Sequence, residues 1–173
     1  VRVEVPGARA DGVCAATALT HPSFRELFSD QLLAHGEHLR VSHLAFVFVE
    51  LSARSALFEE LGDARTCERL TRVDALVHEA SDAHEGTIVP SALEQLVAAF
   101  PTALQALHAA LALRAAVDRA DHGTPVANAA HDGRCIALTR EGKPEFFGET
   151  LHRGRALTAE CPAGGLSLSA SFA

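Results

Sequence analysis

The chain has 173 residues, of which 48% are hydrophobic, and its formal net charge at pH 7 is −7. This length and apolar share suffice for one domain with a substantial buried core, and they exclude an intrinsically disordered chain. The acidic balance argues against nonspecific nucleic-acid binding, which needs clustered cationic side chains. No apolar run approaches the ~20 residues that a membrane-spanning helix needs, and no signal peptide is evident. We therefore expect a cytoplasmic protein without nucleic-acid or membrane partners.

The cysteines and histidines do not form a recognisable metal-binding pattern. The four cysteines are widely spaced and include no C-x-x-C pair, which favours reduced thiols over a disulfide framework or a zinc site. The group His35, His38 and His43 spans a glycine and has no accompanying cysteine or carboxylate pattern. We therefore expect no resident cofactor at these residues.

Residues 1–42 are expected to form a lead-in from an upstream sensor domain. The chain begins at Val1 and contains no methionine, which indicates a piece of a longer protein. A weak alternation of valines at the start predicts a short strand or the end of a preceding domain. Ser23 is the predicted N-cap of a helix whose apolar positions run from Phe24 to Leu33.

The segment from His43 to Glu60 predicts a central strand followed by a helix. Its run Leu44–Leu51, LAFVFVEL, is apolar and rich in β-branched and aromatic residues, as in a buried strand. Glu50 is the acidic residue at the end of this strand. In nucleotidyl-transfer enzymes an acid in this position commonly holds Mg²⁺ against a triphosphate. Glu50 is therefore the first candidate metal ligand.

Helices and strands then follow one another to the C terminus. The predicted elements are helices at Ser55–Leu61 and Ala64–Ala83, strands at Thr87–Val89 and Leu96–Phe100, a helix at Thr102–Ala120, two strand pieces within Pro125–Leu138, a loop at Arg140–Glu145, a helix at Gly148–Glu160 and a closing strand at Leu166–Phe172. The order strand, helix, strand, strand, helix, strand is that of a ferredoxin-like βαββαβ core, an α+β fold with helices on one face of the sheet. Residues 43–173 are expected to form this domain after the short helical lead-in.

From about Leu44 onward the chain resembles the catalytic domain of class III adenylate and guanylate cyclases. The matching segments are FVEL at Phe48–Leu51, LFEELGDAR at Leu57–Arg65, GTIV at Gly86–Val89, VAAFPTALQALHAALALR at Val97–Arg114 and FFGETL at Phe146–Leu151. The resemblance implies active sites that form between two subunits. One subunit supplies two aspartates that hold metal ions, and the other supplies an asparagine and an arginine that stabilise the transition state.

The nucleotide and metal positions of the family carry other residues in this chain. The metal aspartates fall on Glu50 and Glu94, whose extra methylene moves the carboxylate by roughly 1.5 Å. The purine-contacting lysine falls on Pro90, which has no side-chain donor, and its acidic partner falls on Glu145. Arg54 follows the position of a phosphate-loop glycine, and it can pair with Glu50 or Glu94 in place of a metal ion.

The transition-state positions are altered as well. The asparagine falls on His152 and the arginine on Ala156. Arg153 and Arg155 are close in sequence, but their helical offsets predict that they point elsewhere. His152 and Arg155 are the catalytic candidates if the chain is active.

Because both halves of the shared site are altered, the sequence predicts a catalytically inactive cyclase-like domain. We expect it to serve as a dimerisation or regulatory module in bacterial intracellular signalling, as a homodimer or a cyclase-like heterodimer. One alternative is a divergent, low-activity cyclase of ATP or GTP that uses Mg²⁺ or Mn²⁺ on Glu50 and Glu94. Another is a module that binds a different small ligand in the vacated cleft, lined by Arg54, Glu94, Glu145 and His152.

Overall fold

The structure, a computed structural model, describes residues 13, 15–21, 23–24, 27, 38–52, 54–90, 95–120, 125–140 and 143–172. The helices are α1 (Ala15–Thr20), α2 (Arg54–Ala83), α3 (Ala103–Ala120) and α4 (Glu149–Ala159). The strands are β1 (His38–Leu51), β2 (Thr87–Val89), β3 (Leu96–Phe100), β4 (Val126–Arg140), β5 (Lys143–Phe147) and β6 (Leu166–Leu168), and a 3₁₀ turn spans Ala170–Phe172. This mixture of one sheet and flanking helices confirms the predicted α+β class.

The sheet is built around β1. This strand pairs antiparallel with β3 on one side and with β4 on the other, within the strand order β2-β3-β1-β4-β5. The long strand β4 pairs with β5 near its end and, in parallel, with β6 near its start. Residues of β2 come within 8 Å of residues of β5, Cα to Cα. The sheet therefore curls, and its two outer strands approach each other.

The side chains of β1 alternate between two hydrophobic clusters. The odd-numbered residues from Ala45 to Leu51 pack with α2 and α3, and the even-numbered residues from Leu44 to Phe48 pack with Leu19 of α1 and Leu151 of α4. Both sets are apolar, as expected of a strand buried on both faces. Helices therefore cover both faces of the sheet, and the prediction of helices on one face is wrong.

Gly62 divides α2 into two parts. Its φ of 74° and ψ of 168° interrupt the helix, and a positive φ favours glycine. Next to this break, the hydroxyl of Thr66 donates a hydrogen bond of 3.0 Å to the carbonyl oxygen of Leu57, which satisfies a buried acceptor. The two predicted helices with a break at Gly62-Asp63 are thus confirmed.

The hairpin of β4 and β5 differs from the prediction. Pro125–Leu138 was expected to hold two strand pieces, but β4 is continuous because Gly133 stays in the ladder opposite Leu44. The irregularity lies in the neighbouring strand, between Val41 and Leu44. The predicted loop Arg140–Glu145 is instead mostly strand, since Arg140 pairs with Lys143 across residues 141–142.

The ends of the chain are described only in part. β1 begins at His38, within the range predicted as a lead-in. Most of the predicted helix from Phe24 to Leu33 and the N-terminal valines lie outside the described residues. The predicted closing strand is shorter than expected and gives way to the 3₁₀ turn. None of the described helices is long and apolar enough to cross a lipid bilayer.

Candidate functional site

A cleft of about 360 Å³ opens where the end of β2, strand β5 and the first turns of α4 meet. It is lined by Pro90, Arg140, Glu145, Phe146, Phe147, Gly148, Leu151, His152 and Arg155. Four of the residues that the sequence analysis singled out, Pro90, Glu145, His152 and Arg155, therefore line the same cleft. The curl of the sheet explains this, because it brings β2 next to β5.

Helix α4 presents one stripe of residues to the cleft. The stripe consists of Gly148, Leu151, His152 and Arg155. The last three follow Gly148 by three, four and seven positions, which places them on one side of a helix. Arg153 lies on another side, where its guanidinium is 2.7 Å from a carboxylate oxygen of Glu149. The prediction that Arg155 points away from the site is therefore wrong, because its offset from His152 is that of same-face neighbours.

Some charged side chains in the cleft have a partner of opposite charge and others do not. The Nε atom of Arg140 lies 3.4 Å from a carboxylate oxygen of Glu145, and the guanidinium of Arg140 also lies over the ring of Phe147, 5.9 Å from its centroid. The Nε atom of Arg155 is buried and has no hydrogen-bond partner. Among the described lining residues, the acid is thus paired and the buried Nε–H of Arg155 is left without an acceptor.

Glu50 lies away from this cleft, at the end of β1, and is not among the residues that line it. The side-chain amide of Gln95 donates a hydrogen bond of 3.3 Å to the Glu50 carboxylate. Strand pairing explains the contact, because Leu96 lies opposite Val49 and so brings the preceding residue beside Glu50. Gln95 is buried, with 7% of its surface exposed, and its Oε1 atom has no partner.

Gln95 is a contact that sequence reasoning missed. The signal was its place directly after Glu94, but its proximity to Glu50 depends on the register between β3 and β1. Glu94 itself lies outside the described residues, and the side chain of Arg54 is not described, so the pairing proposed for them stays a prediction. Within the described ranges, no three His, Cys, Asp or Glu side chains come together as they would around a metal ion.

Two further groups have pKa values that burial shifts. Burial lowers the pKa of His131 from its ordinary value of 6.5, while the nearby Asp132 carboxylate acts in the opposite direction. Burial raises the pKa of the Cys135 thiol to about 12. Cys135 therefore stays protonated at neutral pH and belongs to the core rather than to a reactive site. Cys67 and Cys161 are also free thiols.

Solved structures of nucleotide cyclases share this fold. The dimeric guanylyl cyclase domain of the RhoGC fusion protein from Blastocladiella emersonii superimposes with a TM-score of 0.69 at 11% identity, covering 79% of this chain and 83% of that chain. The adenylyl cyclase CyaB from P. aeruginosa gives a TM-score of 0.65 at 17% identity, covering 79% and 80% of the two chains. An adenylate cyclase from Trypanosoma brucei in its monomeric state gives 0.67 at 14% identity, covering 76% and 75%.

No protein-family model and no curated protein sequence matches the chain. The likeness therefore rests on three-dimensional structure and covers about three quarters or more of each chain. The chain has the fold of the class III adenylyl and guanylyl cyclase catalytic domains.

Proposed function

We propose that this chain is a catalytically inactive cyclase-homology domain that acts as a dimerisation or regulatory module in intracellular signalling. The observation that carries the proposal is the environment of Glu50. Its carboxylate accepts a hydrogen bond from the amide of Gln95, so its described neighbour is a neutral donor rather than a second carboxylate. Cyclisation of a nucleoside triphosphate needs metal ions and cations that absorb the charge developing on the phosphates.

The described residues do not fit a pair of divalent ions. Mg²⁺ requires near-ideal octahedral oxygen geometry at about 2.0–2.1 Å. A cation seated on the Glu50 carboxylate would meet the amide hydrogens of Gln95, which occupy that side of it. The Oε1 atom of Gln95 is an oxygen without a partner, but it is neutral, so this pair of side chains carries one negative charge.

The second half of the site is altered independently. Pro90 offers no side-chain donor to a purine ring, and Ala156 occupies the position of the transition-state arginine. Contacts of this kind are each worth about 10²–10³ in rate. Because both halves of the shared site are altered, this chain offers no intact half-site to a partner subunit that supplies the other half.

Turnover of nucleotide tests the proposal. Purified chain is incubated with Mn²⁺ and either ATP or GTP, and cyclic nucleotide is quantified by mass spectrometry. We expect no product above that of a Glu50→Ala variant. Glu59→Ala, at an exposed position on α2, controls for loss of a surface acid. Product that disappears in Glu50→Ala and persists in Glu59→Ala would establish the low-activity cyclase instead.

Dimerisation is the other part of the proposal. It is supported by the fold, since similar domains have been solved as a dimer and as a monomer. We expect light scattering at micromolar concentration to give twice the mass of the chain. A monomer at all concentrations would remove the dimerisation role and leave a monomeric regulatory or binding module.

A further inference from the structure

We propose that the cleft between β2, β5 and α4 binds a small organic anion, with a flat apolar body and one carboxylate or phosphate group, without a metal ion. The inference rests on the proposed function in one respect, namely that the cleft is not used for cyclisation. It is carried by Arg155, by the charges around this residue, and by the walls of the cleft.

The cationic group available to an anion is Arg155, which is half-buried and lines the cleft. Its guanidinium is a planar fork that matches a carboxylate or phosphate group with two parallel hydrogen bonds. An anion in the cleft can therefore pair with Arg155.

The acids near Arg155 are already engaged. Glu145, the acid among the described lining residues, is 3.4 Å from Arg140. Glu149, one turn before Arg153 on α4, is 2.7 Å from Arg153. The cleft thus keeps an excess of positive charge in a chain whose formal net charge is −7, which favours an anion over a cation or a neutral ligand.

Apolar side chains also line the cleft. Pro90, Phe146, Phe147 and Leu151 line it, and 42% of the surface of Phe147 is exposed. Small-molecule sites combine such a lining with a few placed polar groups, and they usually occupy about 300–1,000 Å³. A volume of about 360 Å³ is at the small end of this range, so a compact ligand fits better than an extended one.

Metal independence follows from the same residues. The single described acid that lines the cleft forms an ion pair with Arg140, and the described parts of the chain contain no cluster of metal-binding side chains. A chelator should therefore leave binding unchanged.

Calorimetric titration tests the inference on the whole purified chain in buffer with EDTA. The probes are phenyl phosphate, benzoate and inorganic phosphate, and the variants are Arg155→Gln and Arg153→Gln. Both substitutions remove one arginine from the same helix, but Arg153 is exposed and paired with Glu149. We expect phenyl phosphate or benzoate to bind saturably, and inorganic phosphate to bind more weakly because it lacks the apolar body. The affinity should fall about 10- to 100-fold in Arg155→Gln and stay unchanged in Arg153→Gln.

The preference between the two aromatic probes identifies the anionic group, phosphate or carboxylate. If Arg155→Gln does not fold, Arg155→Lys replaces it, since lysine keeps the charge but not the planar fork, and should give a smaller loss. No binding by any probe, or equal losses in the Arg155 and Arg153 variants, would overturn the inference. If no probe binds and no nucleotide is turned over, the inference of ligand binding is wrong and the proposed inactivity is unaffected. Turnover of ATP or GTP removes the proposed inactivity, whatever the titration gives.

Discussion

At the scale of single residues, the contact between Gln95 and Glu50 is the main support for the proposed inactivity. Among the described residues, the group that meets the Glu50 carboxylate is a neutral amide rather than a second carboxylate. The contact is partly buried, since Gln95 has 7% of its surface exposed and Glu50 is half-buried. Replacing Gln95 by glutamate would add a negative charge to the pair with almost no change in side-chain size.

Gln95→Glu should therefore create a repulsive pair that a cation relieves. We expect the variant to lose about 1–3 kcal/mol of unfolding free energy in EDTA, because a buried hydrogen bond becomes a like-charge contact. Mn²⁺ should restore its melting temperature but leave that of the original chain unchanged. Gln95→Ala, which removes the hydrogen bond to Glu50 without adding a carboxylate, is the matched control and should show no response to Mn²⁺. Equal stabilisation of the original chain by Mn²⁺ would contradict this prediction.

His131 provides a second prediction at the residue scale. Because burial lowers its pKa in the folded chain, the unfolded chain binds more protons as the pH falls through the ordinary value of 6.5. Stability should therefore decrease as the pH is lowered from about 7.5 to about 5.5. His131→Gln should weaken this decrease in urea unfolding. Identical pH slopes in the original chain and in His131→Gln would refute the assignment.

At the scale of elements, the placement of α4 decides where the cleft lies. A Cβ atom on Gly154 would come within 1.9 Å of the ring of Phe48, and Phe48 is fully buried in β1. The absence of a side chain at Gly154 thus lets α4 lie close to the sheet. This close contact holds the stripe from Gly148 to Arg155 at the mouth of the cleft.

Gly154→Ala should therefore destabilise the domain although alanine is the better helix former. Helix propensity favours alanine by about 1 kcal/mol, but overpacking against a closed core costs about 1–3 kcal/mol. We expect a net loss of unfolding free energy in urea titration. Ala156→Gly, at an exposed position of the same helix, measures the propensity contribution alone. A Gly154→Ala chain more stable than the original would show that α4 does not lie close to Phe48.

The elements that could be predicted from sequence are those with a local signal. β1 follows from an uninterrupted apolar run, and the break in α2 follows from Gly62. The continuity of β4 was missed because His131-Asp132-Gly133 has the composition of a turn, whereas pairing with β1 keeps it extended. Local composition cannot report a partner strand that is distant in sequence.

In the candidate site too, residues with a local sequence signal could be predicted, and contacts that depend on strand register could not. The alignment of motifs placed Pro90, Glu145 and His152, which line one cleft, although they are far apart in sequence. Gln95 could not be assigned to Glu50 without the register of β3 against β1. Arg155 was within reach of sequence reasoning, because its offset of three from His152 is a same-face offset on any helix.

At the scale of the whole molecule, the chain has a cyclase fold, and we propose that the groups that carry charge in cyclisation are replaced. The two hydrophobic clusters on either side of β1 depend on residues such as Phe46 and Val47, which are buried. The polar positions at the end of β1 and along α4 are not required for this packing. The proposed function therefore requires no change in this hydrophobic framework.

The most direct test of this account is a crystal of the chain soaked with Mn²⁺ and a non-cyclisable analogue of ATP, with anomalous diffraction recorded for manganese. The account predicts no manganese peak at Glu50, no ordered triphosphate beside it, and a hydrogen bond between Gln95 and Glu50. Two manganese ions bridged between residues 50 and 94 beneath an ordered triphosphate would contradict it.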